Sequence, residues 1–170
     1  EILYDYLSNL ADVILQVSLQ TIWDSLKFKH IATPKFAVIG YGKLGSKELG
    51  YMSDLDIIFL YSQSHENARD DDNSSEASEI YARFAQRINN WFNSLTNAGL
   101  LYETDLQLRP DGNSGLLVSS IAAFKEYQLT KAWVWEHQAL TRARLIAGDA
   151  DIGSAFEQVR VEVLSQQRDS

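Results

Sequence analysis

The feature that most constrains the fold is an apolar run, residues 57–61, that directly follows Asp54 and Asp56. Such a run is typical of a central strand buried on both faces. Side chains alternate along a strand, so the two carboxylates point to one face. Like charges held this close repel unless a cation such as Mg²⁺ lies between them. The pattern predicts a metal-dependent nucleotidyl-transfer site, provided that a third carboxylate joins the pair.

Asp105 is the candidate third carboxylate. It lies in an alternating stretch, residues 101–109, which predicts a strand with Asp105 on its polar face. A neighbouring position in one sheet would bring Asp105 beside Asp54 and Asp56. Three carboxylates can hold two metal ions for an in-line displacement at phosphorus. We expect Asp54 and Asp56 to bridge the ions, and Asp105 to hold the ion nearest the acceptor and to accept the acceptor's proton.

A small turn, Gly45-Ser46, lies just upstream of the acidic pair. We expect its backbone N–H groups to bind a phosphate. Gly45 also completes a G-x-G-x-x-G pattern with Gly40 and Gly42, which is the dinucleotide-binding fingerprint. That fingerprint requires a full helix and then a strand that ends in an acid. Here the next strand comes too soon and its acids stand at its start, so the match is interpreted as accidental.

Phosphate binding also needs cations and hydroxyl donors near the acidic pair. The candidates are Lys43, Ser53 and Arg109, with Lys47, Arg142 and Arg144 as further cations. Arg109 shares the polar face of Asp105, and its fork of donors suits a phosphate. The first three residues could also have no role in binding. Lys43 could be a surface lysine, Ser53 could form a turn, and Arg109 could pair with Glu103 or Asp105.

In the rest of the chain, the spacing of apolar residues predicts mainly helices and few strands. A helix over residues 3–27 carries an apolar stripe, and a second over 76–97 begins after an N-cap at Ser75. Pro34 precedes a predicted strand at residues 36–41. Short segments follow: a strand at 115–118 and helices at 121–128, 131–142 and 152–166. The predicted core stripes are Leu3, Leu7, Leu10, Ile14 and Val17, then Ile80, Phe84, Ile88, Trp91 or Phe92, and Leu95.

Composition excludes several kinds of site and argues against one class of partner. The 170 residues include no cysteine, which excludes disulfides and thiolate metal sites, and no apolar run approaches a membrane span. The net charge of −8 argues against a nucleic-acid partner. Much of that charge falls in residues 62–79, which predict a solvated loop that is poorly ordered in part of residues 63–75. The chain lacks an initial Met and a signal peptide, so we expect a segment of a longer cytoplasmic protein.

Three long motifs, GYGKLGSKELGYMSDLDIIFLY, LYETDLQLRPDGNSGLLVSS and WEHQALTRARLIAGD, resemble the family of bifunctional glutamine synthetase adenylyltransferase/deadenylylases of bacteria. The resemblance implies an α+β fold of the DNA polymerase β-like nucleotidyltransferase type, a mixed twisted sheet flanked by helices. We expect a leading helix at residues 1–30, which either packs on the domain or links to a preceding domain. A nucleotidyltransferase domain is expected at 31–150, and a trailing helix at 151–170 before a further helical domain.

The resemblance also implies a function. It assigns Asp54, Asp56 and Asp105 to the family's metal-binding acids and Gly45-Ser46 to its small turn. The expected reaction is the Mg²⁺-dependent transfer of AMP from ATP to a tyrosine of glutamine synthetase, in control of nitrogen metabolism. The last two motifs look more like the adenylylating half of the family than the half that removes AMP by phosphorolysis, the alternative. A catalytically inactive fold that docks a partner is a further alternative. The implied protein partners are glutamine synthetase and the PII signal protein.

Overall fold

The computed structural model describes residues 1–29, 31–62, 71–94 and 96–166, with the backbone alone at 71–75. None of the helices in these ranges is both long and apolar enough to cross a membrane. In chain order the elements are α1 (Ile2–Ser25), β1 (Phe36–Gly40), α2 (Gly42–Gly45), β2 (Leu55–Tyr61), α3 (Asp71–Asn93), β3 (Thr104–Asp105), β4 (Val118–Ser120), α4 (Ile121–Thr130), α5 (Val134–Leu140), β5 (Arg144–Gly148) and α6 (Ala150–Leu164).

The strands form one mixed sheet around β2. β1 pairs antiparallel with β2 on one side and with β5 on the other. The second edge of β2 pairs in parallel with β3 at its start and with β4 at its end. The predicted mixed sheet with flanking helices is confirmed. Because β1 and β2 are antiparallel and only one helical turn joins them, the glycine pattern is not part of a βαβ dinucleotide-binding unit.

Each face of the sheet buries its own hydrophobic cluster. Phe36 and Val38 of β1 pack with α1 and α3 on one face, whereas Ile39 packs with α4, α5 and α6 on the other. β2 alternates in the same way and is buried along nearly its whole length, as predicted. Asp56 has the same phase as Ile58, which belongs to the second cluster. Its carboxylate therefore points to the second face, at the start of the strand.

The buried face of α1 differs from the predicted one. The stripe positions Leu3, Leu10 and Val17 are exposed, and the other two predicted positions are only half-buried. Apolar residues recur at helical spacing on both sides of this helix, and the side that packs on the domain combines large apolar residues with small ones. Ser8, Ala11 and Ser18 allow that close approach. The buried residues are Ser8, Ala11, Leu15, Ser18, Leu19, Ile22 and Trp23.

α3 begins earlier than predicted. It starts at Asp71 rather than Glu76, so the predicted N-cap at Ser75 is wrong. Part of the predicted acidic loop, residues 63–70, lies outside the described residues, and so does Leu95 at the end of the predicted stripe. Trp91 is exposed. The predicted core positions Ile80, Phe84, Ile88 and Phe92 are buried.

The predicted strand over residues 101–109 is much shorter in the structure. Only Thr104–Asp105 pairs, because the chain turns immediately afterwards: the Arg109 N–H donates to the Leu106 carbonyl. Alternating polarity over nine residues therefore did not indicate a long strand here. In contrast, β5 was not predicted from the sequence. It ends at Gly148, whose φ of 104° turns the chain into α6.

Arg144 links three elements around the sheet. Its guanidinium forms two bonds with the Asp12 carboxylate of α1, at 2.8 and 3.0 Å. It also donates to the carbonyl oxygens of Leu44 and Gly45, each at 3.0 Å. The Asp12 and Arg144 side chains are 21% and 23% exposed, so water screens the pair only in part. Among the cationic candidates, Arg144 is thus a structural residue that holds α1 and α2 against β5.

We expect Arg144→Met to lower the free energy of unfolding by about 2–4 kcal/mol, because it leaves the largely buried Asp12 carboxylate without a partner. The matched control is Arg83→Met, which breaks an exposed ion pair with Glu79 on α3 and should cost less than about 1 kcal/mol. Urea denaturation of the two variants measures both values. Equal losses would contradict the assigned role of Arg144.

Candidate functional site

A cavity of about 470 Å³ opens at the start of β2. Both members of the predicted acidic pair border it. The opposite walls come from the first residues of α2, the loop before β2 and the residue two positions before β5. The lining residues are Gly42, Lys43, Met52, Ser53, Asp54, Asp56 and Arg142. Most of these side chains are polar or charged, which suits a charged ligand.

The Asp56 carboxylate lies directly against the start of α2. The Tyr41 N–H donates to the Asp56 carbonyl oxygen at 2.8 Å, which extends the strand pairing by one bond. Gly42 follows with a φ of 52°, and a Cβ there would lie 2.5 Å from Asp56 Oδ2. Glycine is therefore required twice at this position, by its backbone angle and by the close carboxylate. The short helix and the acidic strand meet through this contact.

Like charges surround Asp56. Burial raises the pKa of Asp56, and the negative charges of Asp105 and Asp54 raise that pKa further, while Lys43 opposes the shift. Asp105 and Asp54 are thus both close enough to affect Asp56. A carboxylate in such surroundings is stabilised in its charged form by a cation.

Asp105 lies next to Asp56 in the sheet. β3 pairs in parallel with β2 so that Asp56 and Asp105 are direct register partners, and their side chains point to the same face. Asp105 Oδ1 accepts the Gln107 N–H at 2.9 Å, which orients the carboxylate. Within the described ranges, no three Asp, Glu or His side chains already lie in an arrangement that could hold a metal ion.

Gly45 and Ser46 do not line the cavity. The Gly45 N–H donates to the Tyr41 carbonyl at 2.9 Å, and the Ser46 N–H donates to the Gly42 carbonyl at 3.0 Å. These bonds close the turn of α2 and use both N–H groups within the turn, and the backbone contact with a phosphate stays a prediction. Gly45 also allows close packing, because a Cβ there would collide with the Arg142 carbonyl oxygen.

Lys43 and Arg142 supply positive charge to the cavity. Both side chains are exposed, and neither forms a salt bridge with another residue of the described ranges. The backbone before Arg142 is fixed, since Arg160 of α6 donates to the carbonyl oxygens of Leu140 at 2.7 Å and Thr141 at 2.9 Å. A cation on a fixed backbone and a second on α2 can bind one anion between them.

Ser53 has the turn contact expected of its position and also borders the cavity. Its Oγ accepts the Gly50 N–H at 3.0 Å, which leaves the hydroxyl proton available for a ligand. Lys47, by comparison, does not line this cavity. Of the sequence-based phosphate candidates, Lys43 and Ser53 therefore lie beside the acidic pair.

A second cavity of about 340 Å³ lies on the other side of Asp54. Arg109 lines it, with Nη1 donating to the Leu106 carbonyl at 2.9 Å and a buried Nε that has no partner in the described ranges. Arg109 forms no salt bridge with Glu103 or Asp105 there. The lining residues are Asp54, Asn89, Asn93, Glu103, Thr104, Asp105, Leu106, Gln107, Arg109 and Asn113.

Sequence reasoning missed several lining residues. Gly42 belonged to the glycine pattern that we set aside, and Met52 carried no chemical signal. Asn89 and Asn93 lie four residues apart on α3, so one helix face presents both, and this spacing was visible in the sequence. Asn113 lies in a 3-10 helix at Gly112–Ser114, within a turn whose direction the sequence did not specify.

Carboxylates that face cations across one cavity are typical of proteins that act on phosphate esters with a divalent cation. The sequence model of the glutamate–ammonia ligase adenylyltransferase family matches residues 1–159. The chain belongs to this family, as its motifs suggested.

Three relatives illustrate the similarity. Each is named a bifunctional glutamine synthetase adenylyltransferase/adenylyl-removing enzyme, from Aromatoleum aromaticum, Nitrosomonas eutropha and Neisseria meningitidis serogroup B. They are 59%, 58% and 52% identical to this chain over 169 residues, which is 99% of the chain. The chain spans 17%, 17% and 18% of these relatives.

We expect Gly45→Ala to destabilise the chain by about 1–3 kcal/mol, because the new methyl group overlaps the Arg142 carbonyl and forces α2 away from the loop before β5. Gly50→Ala is the matched control in the same segment, where a Cβ would meet only Ser53 Oγ, at 3.3 Å. Urea denaturation compares the two. A Gly45→Ala variant as stable as the control would show that this contact does not fix the turn.

Proposed function

We propose that this chain is a nucleotidyltransferase domain of the DNA polymerase β-like type that moves AMP from ATP to a tyrosine hydroxyl of glutamine synthetase. The observation that carries the proposal is the surroundings of Asp56. The negative charges of Asp54 and Asp105 raise the pKa of Asp56, and Lys43 and Arg142 border the cavity that Asp56 lines. The acidic pair at the start of the central strand supports the fold type. The names of the relatives support the substrate.

The donor set suits Mg²⁺, because carboxylate oxygens are its preferred protein ligands. In this proposal Asp54, Asp56 and Asp105 would hold the metal. The raised pKa of Asp56 supports the assignment, since it marks negative charge that a cation would compensate. Bound Mg²⁺ would stabilise the negative charge on the phosphoryl oxygens of ATP.

The reaction is an in-line displacement at the α-phosphorus of ATP. The tyrosine oxygen forms a bond to phosphorus, the bond to the β-phosphate oxygen breaks, and pyrophosphate leaves with the electron pair. Asp105 accepts the phenolic proton. Lys43, Ser53 and Arg142 bind the departing phosphates, and Arg109 contacts the α-phosphoryl group from the second cavity. These residues act by positioning and by charge stabilisation, the usual requirements of phosphoryl transfer.

The alternative is phosphorolytic removal of AMP from glutamine synthetase, which the relatives' names also include. A phosphate oxygen then attacks the same phosphorus, ADP forms, and the tyrosine oxygen leaves and takes up a proton. The cation-lined cavity fits inorganic phosphate as well as pyrophosphate. ADP released from adenylylated glutamine synthetase and phosphate would identify this direction, whereas labelled glutamine synthetase from ATP would identify the first.

A domain that merely docks a partner is a weaker candidate. It would show no Mg²⁺-dependent nucleotide binding, and it has no need for three carboxylates around one position. The proposed protein is cytoplasmic, and PII acts on it at a site outside residues 1–170. Residues 1–30 and 151–170 then connect the nucleotidyltransferase domain, residues 31–150, to its neighbours, although α1 and α6 both pack on the sheet. The net charge of −8 weighs against nucleic acid as the acceptor.

We expect the double variant Asp54→Asn, Asp56→Asn to lower AMP transfer from α-labelled ATP to glutamine synthetase by about a hundredfold to a thousandfold or more. The reason is the loss of charge stabilisation in the transition state. Circular dichroism should show an unchanged fold, since both positions lie at the open start of β2. Retained labelling in a folded variant would refute the proposed site.

Lys43→Met should weaken ATP binding about threefold to thirtyfold, because it removes a charged contact with the phosphates. Lys47→Met is the matched control, since Lys47 is an exposed lysine that does not line the cavity. Equilibrium binding of ATP with Mg²⁺ to both variants measures the difference. Equal affinities would remove Lys43 from the phosphate site.

A further inference from the structure

Two cavities meet at Asp54, and their linings differ. The first contains Lys43 and Arg142, which suit phosphate groups. The second contains Asp105 and is lined mainly by amide, hydroxyl and carboxylate groups. In an in-line displacement the entering and leaving oxygens lie on opposite sides of phosphorus. If the leaving phosphates occupy the first cavity, the acceptor enters from the side of Asp105, through the second.

A small hydrogen-bond network fixes one wall of the second cavity. Asn93 Nδ2 donates to Asn89 Oδ1 at 2.9 Å and to Thr104 Oγ1 at 3.0 Å, and Thr104 Oγ1 donates to Asn89 Oδ1 at 2.9 Å. The carbonyl oxygen of the Asn89 amide is thereby held. The Asn89 Nδ2 group has no hydrogen-bond partner among the described residues, so it remains a donor for a ligand.

The chemistry of the lining favours a peptide over a nucleobase. No aromatic side chain is among the described residues of this cavity, so a base would find no stacking partner. Amide side chains, in contrast, match the paired donors and acceptors of a peptide backbone. Asn113 borders the cavity from the loop that follows β3 and so adds a further amide to the lining.

We propose that the second cavity is the acceptor subsite, in which Asn89 and Asn113 hydrogen-bond the peptide groups that flank the target tyrosine. The proposal rests on the proposed function and deepens it. It holds for both directions of the reaction, because the tyrosine oxygen occupies the same side of phosphorus when AMP is added and when it is removed. Asn89 and Asn113 are then specificity-determining residues, and neither takes part in the bond changes.

The test compares Asn89→Leu and Asn113→Ala in the full chain. Each should raise the KM for glutamine synthetase about threefold to tenfold through a lost hydrogen bond, and each should leave ATP affinity unchanged. Asn113 is exposed, so its variant retains the fold even if the Asn89 network proves important for stability. Asn90→Leu is the matched control, because Asn90 is the next residue on α3 and lines a different cavity.

Two results would overturn the acceptor subsite. Weaker ATP binding with an unchanged KM for glutamine synthetase would assign the cavity to the nucleotide, and no change in either quantity would place the cavity outside both substrates. A different result tests the proposed function itself. An unsubstituted protein that neither adds AMP to glutamine synthetase nor removes it would refute that function and the subsite with it, and this measurement requires no variant.

Discussion

The site depends on one unfavourable arrangement, a half-buried carboxylate beside two others. Asp56 loses hydration at the start of β2, and Asp54 and Asp105 oppose its charge. A loop would relieve the repulsion by moving. Here Asp56 is part of a strand that pairs on both edges, and its backbone carbonyl also accepts the Tyr41 N–H. The sheet thus holds Asp56 and Asp105 side by side, whereas a flexible segment would let them separate.

Packing and hydrogen bonds hold the elements around Asp56 in place. On one face, the Phe84 ring packs edge-on against Trp23 and Phe36, with ring centroids 4.9 and 4.7 Å apart, which joins α1, α3 and β1. Near the site, Arg144 and Arg160 hold backbone carbonyls with their guanidinium groups. α2 has a single turn and too few hydrogen bonds to be stable alone. Its position therefore comes from these neighbours.

Elements that are apolar along their whole length could be predicted from the sequence. Features that depend on contacts between distant residues could not. Residues 57–61 form a buried strand because a continuous apolar run has few alternatives. The face of α1 was wrong because both sides carry apolar residues, and the buried side includes Ser8 and Ser18, which do not mark an apolar stripe. Gly45 was recognised as special, but its reason is the Arg142 carbonyl, a residue almost a hundred positions away. Asp54 and Asp56 could be singled out because their charge and spacing are local, whereas the position of Asn113 depends on how the chain turns.

Addition and removal of AMP place the same groups around phosphorus. In both reactions a tyrosine oxygen lies on one side of the phosphorus and a phosphate oxygen on the other. The direction of bond change differs, and so does the phosphate, which is pyrophosphate in addition and inorganic phosphate in removal. One set of carboxylates and cations could serve either reaction, since both transition states would place the same kinds of group on the two sides of phosphorus. With pyrophosphate leaving the cation-lined cavity the protein would add AMP, and with inorganic phosphate entering it the protein would remove AMP. The compound that occupies this cavity then sets the direction, and the second cavity keeps the same acceptor.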